Sequence, residues 1–184
     1  MKVSDYIALR LSKETNHVFM VTGGGAMFLN NSFSNQKNLI PIYCHHEQSC
    51  SFAAEAYSRF GKMGLINVTT GPGGLNALNG VYGAWTDSYP MIIISGQVKR
   101  QTTPRYTGQY EKIRQLGDQE FDIIDLSKKI TKKSVFISEP EEVPFVLEEL
   151  IEISKDGRPG PVWMDIPIDI QNAEINTNDY FKSI

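Results

Sequence analysis

Leu65-Ile66-Asn67-Val68-Thr69-Thr70-Gly71-Pro72-Gly73-Gly74-Leu75-Asn76 decides the fold. Its first five residues are an apolar, β-like run. Gly71 to Gly74 break that run, and apolar residues at helical spacing follow over residues 75–85. The unit is therefore strand, glycine turn, helix. It recurs upstream, where β-rich residues 17–22 enter Thr22-Gly23-Gly24-Gly25 and a helical pattern follows over residues 26–33. A third junction is chemical rather than glycine-rich. Residues 39–43 form a short strand, and His45-His46-Glu47-Gln48 opens a helix over residues 47–60. Its apolar stripe is Cys50, Ala53/Ala54, Tyr57 and Phe60, and Gly61 stops it.

Outside these units, residues 3–11 read as an amphipathic opening helix. Residues 91–95 are a continuous apolar strand, as in the middle of a parallel sheet. Residues 99–117 are polar and irregular, a length of loop that marks a functional or mobile segment. Residues 119–128 read as helix, 130–137 as strand and 143–153 as helix, with Ser138 and Glu141 in capping-box spacing ahead of the last. Residues 161–166 are the final strand. Six strands alternating with helices predict an α/β fold: a six-stranded, mostly parallel sheet with helices on both faces.

The 184 residues fit one domain over residues 1–171, followed by a polar tail over residues 172–184 that reads as a linker toward a further domain. A chain of this size buries roughly 70% of its unfolded surface, so it needs no disulfide or metal staple. Hydrophobic content of 41% is ordinary, and a net charge of −3 gives no electrostatic case for nucleic acid or an anionic membrane. The longest apolar run, residues 91–94, is too short to span a bilayer, and the N-terminus has no apolar signal segment. Cys44 and Cys50 fit neither a CxxC nor a zinc spacing and read as small buried thiols, which suits a cytoplasmic setting.

Parallel sheets bind ligands at the carboxyl ends of their strands. The loops at Thr22 to Gly25, His45 to Glu47 and Thr70 to Gly74 all emerge there. Consecutive glycines let a ligand approach the backbone, and they also serve simple tight turns; either use fits each loop taken alone. Neither loop matches a dinucleotide or Walker A fingerprint. Glu47 is a proton-transfer candidate, or equally a solvated first-turn residue favoured by the helix dipole. His45 and His46 read as strand-end residues, since no further His or Cys cluster completes a metal site. Asp165 reads as a structural residue satisfying turn backbone groups, and Trp85 and Trp163 as core.

Four segments in register carry a family resemblance. They are His46-Glu47-Gln48 with Ala53-Ala54-Glu55-Ala56-Tyr57-Ser58-Arg59, Thr69 to Asn76, Asp87-Ser88-Tyr89-Pro90 with Ser95-Gly96-Gln97-Val98, and Gly157 to Pro167. Together they resemble the N-terminal, pyrimidine-binding domain of thiamine-diphosphate enzymes of the acetolactate synthase type. The resemblance covers nearly the whole chain. It implies that Glu47 hydrogen-bonds a ring nitrogen of the cofactor's aminopyrimidine and thereby promotes loss of the thiazolium proton. A carboxyl in that role is expected to be partly buried, with its pKa raised by desolvation. The resemblance also implies that Thr22, Gly23, Gly24, Gly25, Thr70, Gly71, Pro72, Gly73 and Asn76 bind the aminopyrimidine. Gln119 falls where the synthases have a glutamine facing the substrate.

Two positions depart from the synthase pattern: Asp118 stands where those enzymes carry Phe, and the first loop reads Val-Thr-Gly-Gly-Gly-Ala. Val98-Lys99-Arg100 follow Gly96-Gln97, without the histidine pair of the related decarboxylases. In this family, diphosphate and Mg2+ are held by a second domain with Gly-Asp-Gly and, further on, Asn-Asn. The order and spacing of Gly117-Asp118-Gln119 and Asn30-Asn31 do not match it. The resemblance thus implies a carboligase or 2-oxo-acid decarboxylase acting on a 2-oxo acid. It further implies a homodimer or homotetramer whose partner chain supplies the diphosphate-binding domain, with the helical face over residues 47–57 at the interface. Whether FAD binds depends on a middle domain. Two alternatives stand beside it: a free-standing subunit that pairs with a separate diphosphate-binding subunit, and a non-catalytic dimerising or regulatory module.

Overall fold

The structure, a computed structural model, describes residues 1–176. Six strands form one sheet: β1 (His17–Met20), β2 (Ile40–Tyr43), β3 (Gly64–Val68), β4 (Met91–Gln97), β5 (Lys133–Phe136) and β6 (Pro161–Pro167). Their order is β2-β1-β3-β4-β6-β5. Every pairing is parallel, so the sheet is more uniform than the expected mostly parallel one. The helices are α1 (Val3–Leu11), α2 (Met27–Asn35), α3 (Glu47–Ser58), α4 (Pro72–Asp87), α5 (Pro104–Thr107), α6 (Ile123–Ser127), α7 (Val143–Lys155) and α8 (Ile168–Gln171).

Alternation along the central strands sorts the core into two layers. Leu65, Ile92, Ile94, Val162, Met164 and Ile166 pack with α1, α2 and α7. Ile66, Val68, Met91, Ile93 and Trp163 pack with α3, α4 and α6. The predicted helices on both faces are therefore present, and each face has its own hydrophobic cluster. On the second face α3 and α4 approach closely, because a Cβ on Gly80 would fall 2.5 Å from the Ser51 backbone carbon. Edge strand β2 is the exception to burial, with Ile40 and Tyr43 more than half exposed.

Several elements differ from the sequence reading for local reasons. Helix α4 starts at Pro72, so Gly73 and Gly74 belong to its first turn rather than to a loop. Pro72 needs no N–H at that position, and its ring presets the helical φ. Helix α6 is shorter than the expected 119–128. It begins only after Asp122, whose side chain accepts from the backbone N–H groups of Ile124 and Asp125. The capping box ahead of α7 is shifted by one: Glu142, not Glu141, accepts from the Ser138 backbone N–H at 3.2 Å. The 99–117 segment is largely irregular, interrupted by a turn at Arg100–Thr102 and the short α5.

Trp163 is fully buried, whereas Trp85 is 37% exposed; Phe60, assigned to the α3 stripe, is 86% exposed beyond the helix end. Cys50 is buried and Cys44 only half-buried, which corrects the reading of both as buried thiols. Burial raises the Cys50 thiol, and the neighbouring Cys44 adds to the effect. Residues 172–176 are tied to the N-terminus by an antiparallel bridge between Lys2 and Glu174, and Ile175 is buried in the core. The tail reading therefore does not describe its first five residues, and its remainder, 177–184, lies outside the described residues. Among the described residues no helix is long and apolar enough to cross a membrane.

Candidate functional site

The chain passes from β1 to β2 on one side and then crosses to β3 on the other. The crevice between the carboxyl ends of β1 and β3 is thus the topological switch point of the sheet, where such folds take ligands. Met20 pairs with Asn67 at its base. The loops that leave these two strands are the two glycine turns.

Close packing joins the turns. The Gly25 N–H donates to Thr69 Oγ1 at 3.1 Å, and Thr70 Oγ1 donates to the Gly96 carbonyl at 3.2 Å. A Cβ on Gly25 would meet Thr70 Oγ1 at 1.9 Å, and one on Gly96 would meet the Gly25 carbonyl oxygen at 2.2 Å. Gln171 Nε2 donates to the same Gly25 carbonyl at 2.7 Å. Gly24 faces open space: a Cβ there would meet nothing within 4 Å. Close contact thus requires glycine at Gly25 in the first loop and at Gly96 in β4, whereas Gly24 leaves its side of the loop open.

Gly71 is the most constrained of these residues. Its φ is +53° with ψ −105°, and a Cβ would lie 2.1 Å from the Gln119 carbonyl oxygen. The second turn thus rests on the 117–122 segment. Gln119 itself has φ +55°, which explains why no helix runs through it.

These parts enclose an open cleft of about 510 Å³. Gly23, Gly24 and Gly25 form one wall, with Thr69 and Thr70 beside them. Asp118 and Gln119 form the facing wall, and Val98, Lys99, Thr102 and Ile168 complete it. The structure thus brings Gly23, Gly24, Gly25, Thr70 and Gln119 together. Thr22, Glu47, Gly71, Pro72, Gly73 and Asn76 do not line this cleft directly.

Glu47 stands just behind it. It opens α3 after His46, whose Nδ1 accepts from the Gln48 backbone N–H at 3.2 Å; His46 is thus a helix cap. Glu47 is 8% exposed, and its Oε2 accepts from Asn76 Nδ2 at 3.0 Å. Gly73 connects acid and cleft. A Cβ at Gly73 would meet Thr69 Cγ2 at 3.0 Å on one side and Glu47 Oε1 at 3.7 Å on the other. A methyl at 73 would press on Thr69 and just touch Glu47. The first turn of α4 thus places a buried carboxylate, oriented by an amide, beside the cleft-lining Thr69.

Three groups of residues escaped the sequence reading. Asn67, buried within β3, donates from Nδ2 to Asn30 Oδ1 at 2.7 Å, and Asn30 Nδ2 donates to the Gly23 carbonyl at 3.1 Å. An asparagine inside the apolar run Ile66-Asn67-Val68 was the visible signal, because a buried amide requires partners. Lys99 and Thr102 carried no signal in the long loop. The third group surrounds Asp165, which does not serve turn backbone groups as expected. Its Oδ1 accepts from Ser95 Oγ at 2.6 Å and its Oδ2 from Gln97 Nε2 at 3.2 Å. Full burial pushes the Asp165 carboxyl up to about 7, against the opposing hydrogen bonds from Ser95 and Gln97. Nearby, Arg105 binds Asp122 at 2.6 Å and Asp125 at 2.8 Å. Tyr110 donates to Asp122 as well. Burial raises the Tyr110 phenol, and the Asp122 bond reinforces it.

Among the described residues no group of three or more His, Cys, Asp or Glu side chains is placed to hold a metal ion.

A parallel α/β domain with a buried carboxylate beside a switch-point cleft has the architecture of a ligand-binding domain. Its relatives make this specific. The family described as "Thiamine pyrophosphate enzyme, N-terminal TPP binding domain" matches residues 1–125. Over 155 residues the chain is 35% identical to the acetolactate synthase large subunit of Buchnera aphidicola subsp. Acyrthosiphon pisum, covering 84% of this chain and 25% of that protein. It is 35% identical over 158 residues to the chloroplastic acetolactate synthase of Arabidopsis thaliana, covering 84% and 22%. It is 34% identical over 181 residues to a probable acetolactate synthase large subunit of Methanocaldococcus jannaschii, covering 98% and 29%. The chain belongs to the N-terminal, thiamine-pyrophosphate-binding domain family of thiamine pyrophosphate enzymes, and thiamine diphosphate is the cofactor that this membership implies. It spans about a quarter of the length of the curated relatives it matches.

Proposed function

We propose that this chain is the aminopyrimidine-binding half of a thiamine-diphosphate-dependent carboligase or 2-oxo-acid decarboxylase of the acetolactate synthase type. The observation that carries the reading is Glu47: a buried carboxylate at a helix start, held by Asn76 and next to the glycine-walled cleft.

The residues present fit the group. Gly24 leaves open space where an aromatic ring needs close backbone approach, and Thr69, Thr70 and Gln119 offer polar edges around it. Bound thiamine diphosphate supplies a thiazolium carbon nucleophile. The chain's part is to orient and to manage one proton. Asn76 holds Glu47 Oε2, which leaves Oε1 as the atom to hydrogen-bond a ring nitrogen and exchange a proton with it. Gly23, Gly24, Gly25 and Thr70 shape the ring's seat, with Thr22, Gly71, Pro72 and Gly73 fixing the turns behind it. Gln119 and Lys99 face the substrate side, where Lys99 matches the carboxylate of a 2-oxo acid.

Mg2+ and the diphosphate are assigned to a second domain that packs against this one, contributed by a partner copy in a homodimer or homotetramer. Calorimetry on the full-length protein with thiamine diphosphate and magnesium, followed by product analysis with pyruvate, tests the reading. Magnesium-dependent binding with release of carbon dioxide or a coupled hydroxy-oxo acid is the expected result. Absence of cofactor binding overturns it.

A further inference from the structure

One polar cluster is not used by the proton chemistry above. Gln97 ends β4, and Asp165 lies in the register beside it on β6, where Ser95 pairs with Asp165 and Gln97 with Pro167. Both side chains are buried in an otherwise apolar layer. Gln97 Nε2 donates twice, to Asp165 Oδ2 at 3.2 Å and to the Phe121 carbonyl at 3.0 Å. Gln97 Oε1 accepts from the Val98 backbone N–H at 3.0 Å, which fixes which way the amide faces. Ser95 Oγ bonds Asp165 Oδ1 and accepts from the Trp163 indole N–H at 2.7 Å. Every polar atom in this set thus has a partner, as burial requires.

The consequence lies at Phe121, two residues after Gln119. The Gln119 carbonyl is packed on Gly71, so the second glycine turn and Gln97 both hold the 117–122 segment. Residues 118–122 have no helix or strand of their own until α6 begins at Ile123. Their position is therefore set by these contacts, by the Arg105–Asp122 pair, by Gly117 packed on the Thr102 carbonyl, and by the Ile123 N–H, which also donates to the Phe121 carbonyl at 3.0 Å.

We propose that Gln97 and Asp165 are positioning residues that hold the Phe121 carbonyl and so set the place of the Asp118–Gln119 wall of the cleft. Asp165 acts through Gln97. Its Oδ2 orients the amide so that the second N–H points at Phe121. A neutral acid satisfies the same geometry with its proton on Oδ1 toward Ser95 Oγ. Asparagine does so too, with its NH2 toward Ser95 and its oxygen toward Gln97. Leucine cannot.

The proposal makes a graded prediction that a simple packing role does not. Gln97→Met keeps the volume and removes both donors. Asp165→Leu keeps the shape and removes the acceptor. Asp165→Asn keeps the acceptor. Amide hydrogen exchange on the full chain should show protection over residues 118–122 falling about tenfold or more in the first two variants. It should stay near the wild-type value in Asp165→Asn, with β1 and β3 unchanged throughout. Where Asp165→Leu gives no cooperative melt, Gln97→Met and Asp165→Asn alone carry the comparison. Unchanged protection at 118–122 in a folded Gln97→Met, or equal loss in Asp165→Asn, overturns the proposal.

The link to substrate rests on the proposed function, and a second readout separates the two. In the cofactor-loaded protein Gln97→Met should raise KM for the 2-oxo acid about tenfold while kcat stays within about twofold. Lost protection with both constants unchanged leaves the strut standing and removes Gln119 from the substrate side.

Discussion

The two walls of the cleft are built in opposite ways. The glycine wall rests on the sheet: each turn follows its own strand, and the contacts at Gly25, Thr69, Thr70 and Gly96, which cross 26 to 44 residues, join segments that the strand order already sets side by side. The Asp118–Gln119 wall is held from afar by Gln97 on β4, Asp165 on β6 and Arg105 at the start of α5. One wall follows from strand order. The other has no strand or helix of its own and depends on side-chain hydrogen bonds from Gln97, Asp165 and Arg105. The difference teaches where substitutions should act: backbone clashes should damage the first wall, and lost hydrogen bonds should loosen the second.

Acid and base should reveal the second wall's support most strongly. Burial pushes the Asp165 carboxyl up to about 7 in the folded chain, from the ~3.9 of an ordinary aspartate. Between these values the folded state keeps a proton that the unfolded chain has lost. The group's contribution to stability is therefore fully present below about pH 4 and is lost as pH rises through about 7. For a fully buried acid this amounts to about 4 kcal/mol. Urea melts of wild type and Asp165→Asn from pH 4 to 8 should show the wild type losing about that much relative to the variant. Parallel pH profiles would remove Asp165 as a buried titrating group.

The turn behind the first wall meets the second wall at Gly71. Gly71→Ala combines a backbone conformation that side chains rarely adopt with a methyl driven into the Gln119 carbonyl. A loss of about 3 kcal/mol in urea melts is expected. A loss below about 1 kcal/mol would mean that the two walls do not touch there.

Asn67→Ala removes the start of the Asn67–Asn30–Gly23 chain and leaves Asn30 short of one partner. We expect about 1–2 kcal/mol of destabilisation, with amide shifts at Gly23 to Gly25 by NMR. Undisturbed Gly23 to Gly25 amides would disconnect β3 from the first loop. The smallest effect is expected at Asn76→Ala. It frees Glu47 Oε2 at the cleft edge and should cost only about 1 kcal/mol in thermal melts.

How far the sequence could be read follows the same division. Strand–glycine–helix units around Thr22 to Gly25 and Thr70 to Gly74 were legible because turn chemistry and strand period are local. The place of Glu47 was legible because it opens the helix after the second strand. Gln119 was reached by resemblance, but its surroundings were misread as helix. Nothing local announces that a positive φ at 119 and the Asp122 cap postpone α6 to Ile123. Asp165 was misassigned for a related reason: its partners, Ser95 and Gln97, come from a strand about 70 residues earlier, and only the sheet register of β4 against β6 brings them together. Trp85 looked like core because of its size, yet it lies at the outer side of α4, partly open to solvent.

On the proposed function, Glu47 is the proton-transfer acid of the cleft. The most direct measurement of that role is hydrogen–deuterium exchange at the thiazolium C2 position in the cofactor-loaded protein, comparing wild type with Glu47→Gln. The substitution keeps the shape and the Asn76 contact within reach, so folding should persist. Exchange slowed by about 100-fold or more is the expected result. Exchange at the wild-type rate, with the cofactor still bound, would contradict it.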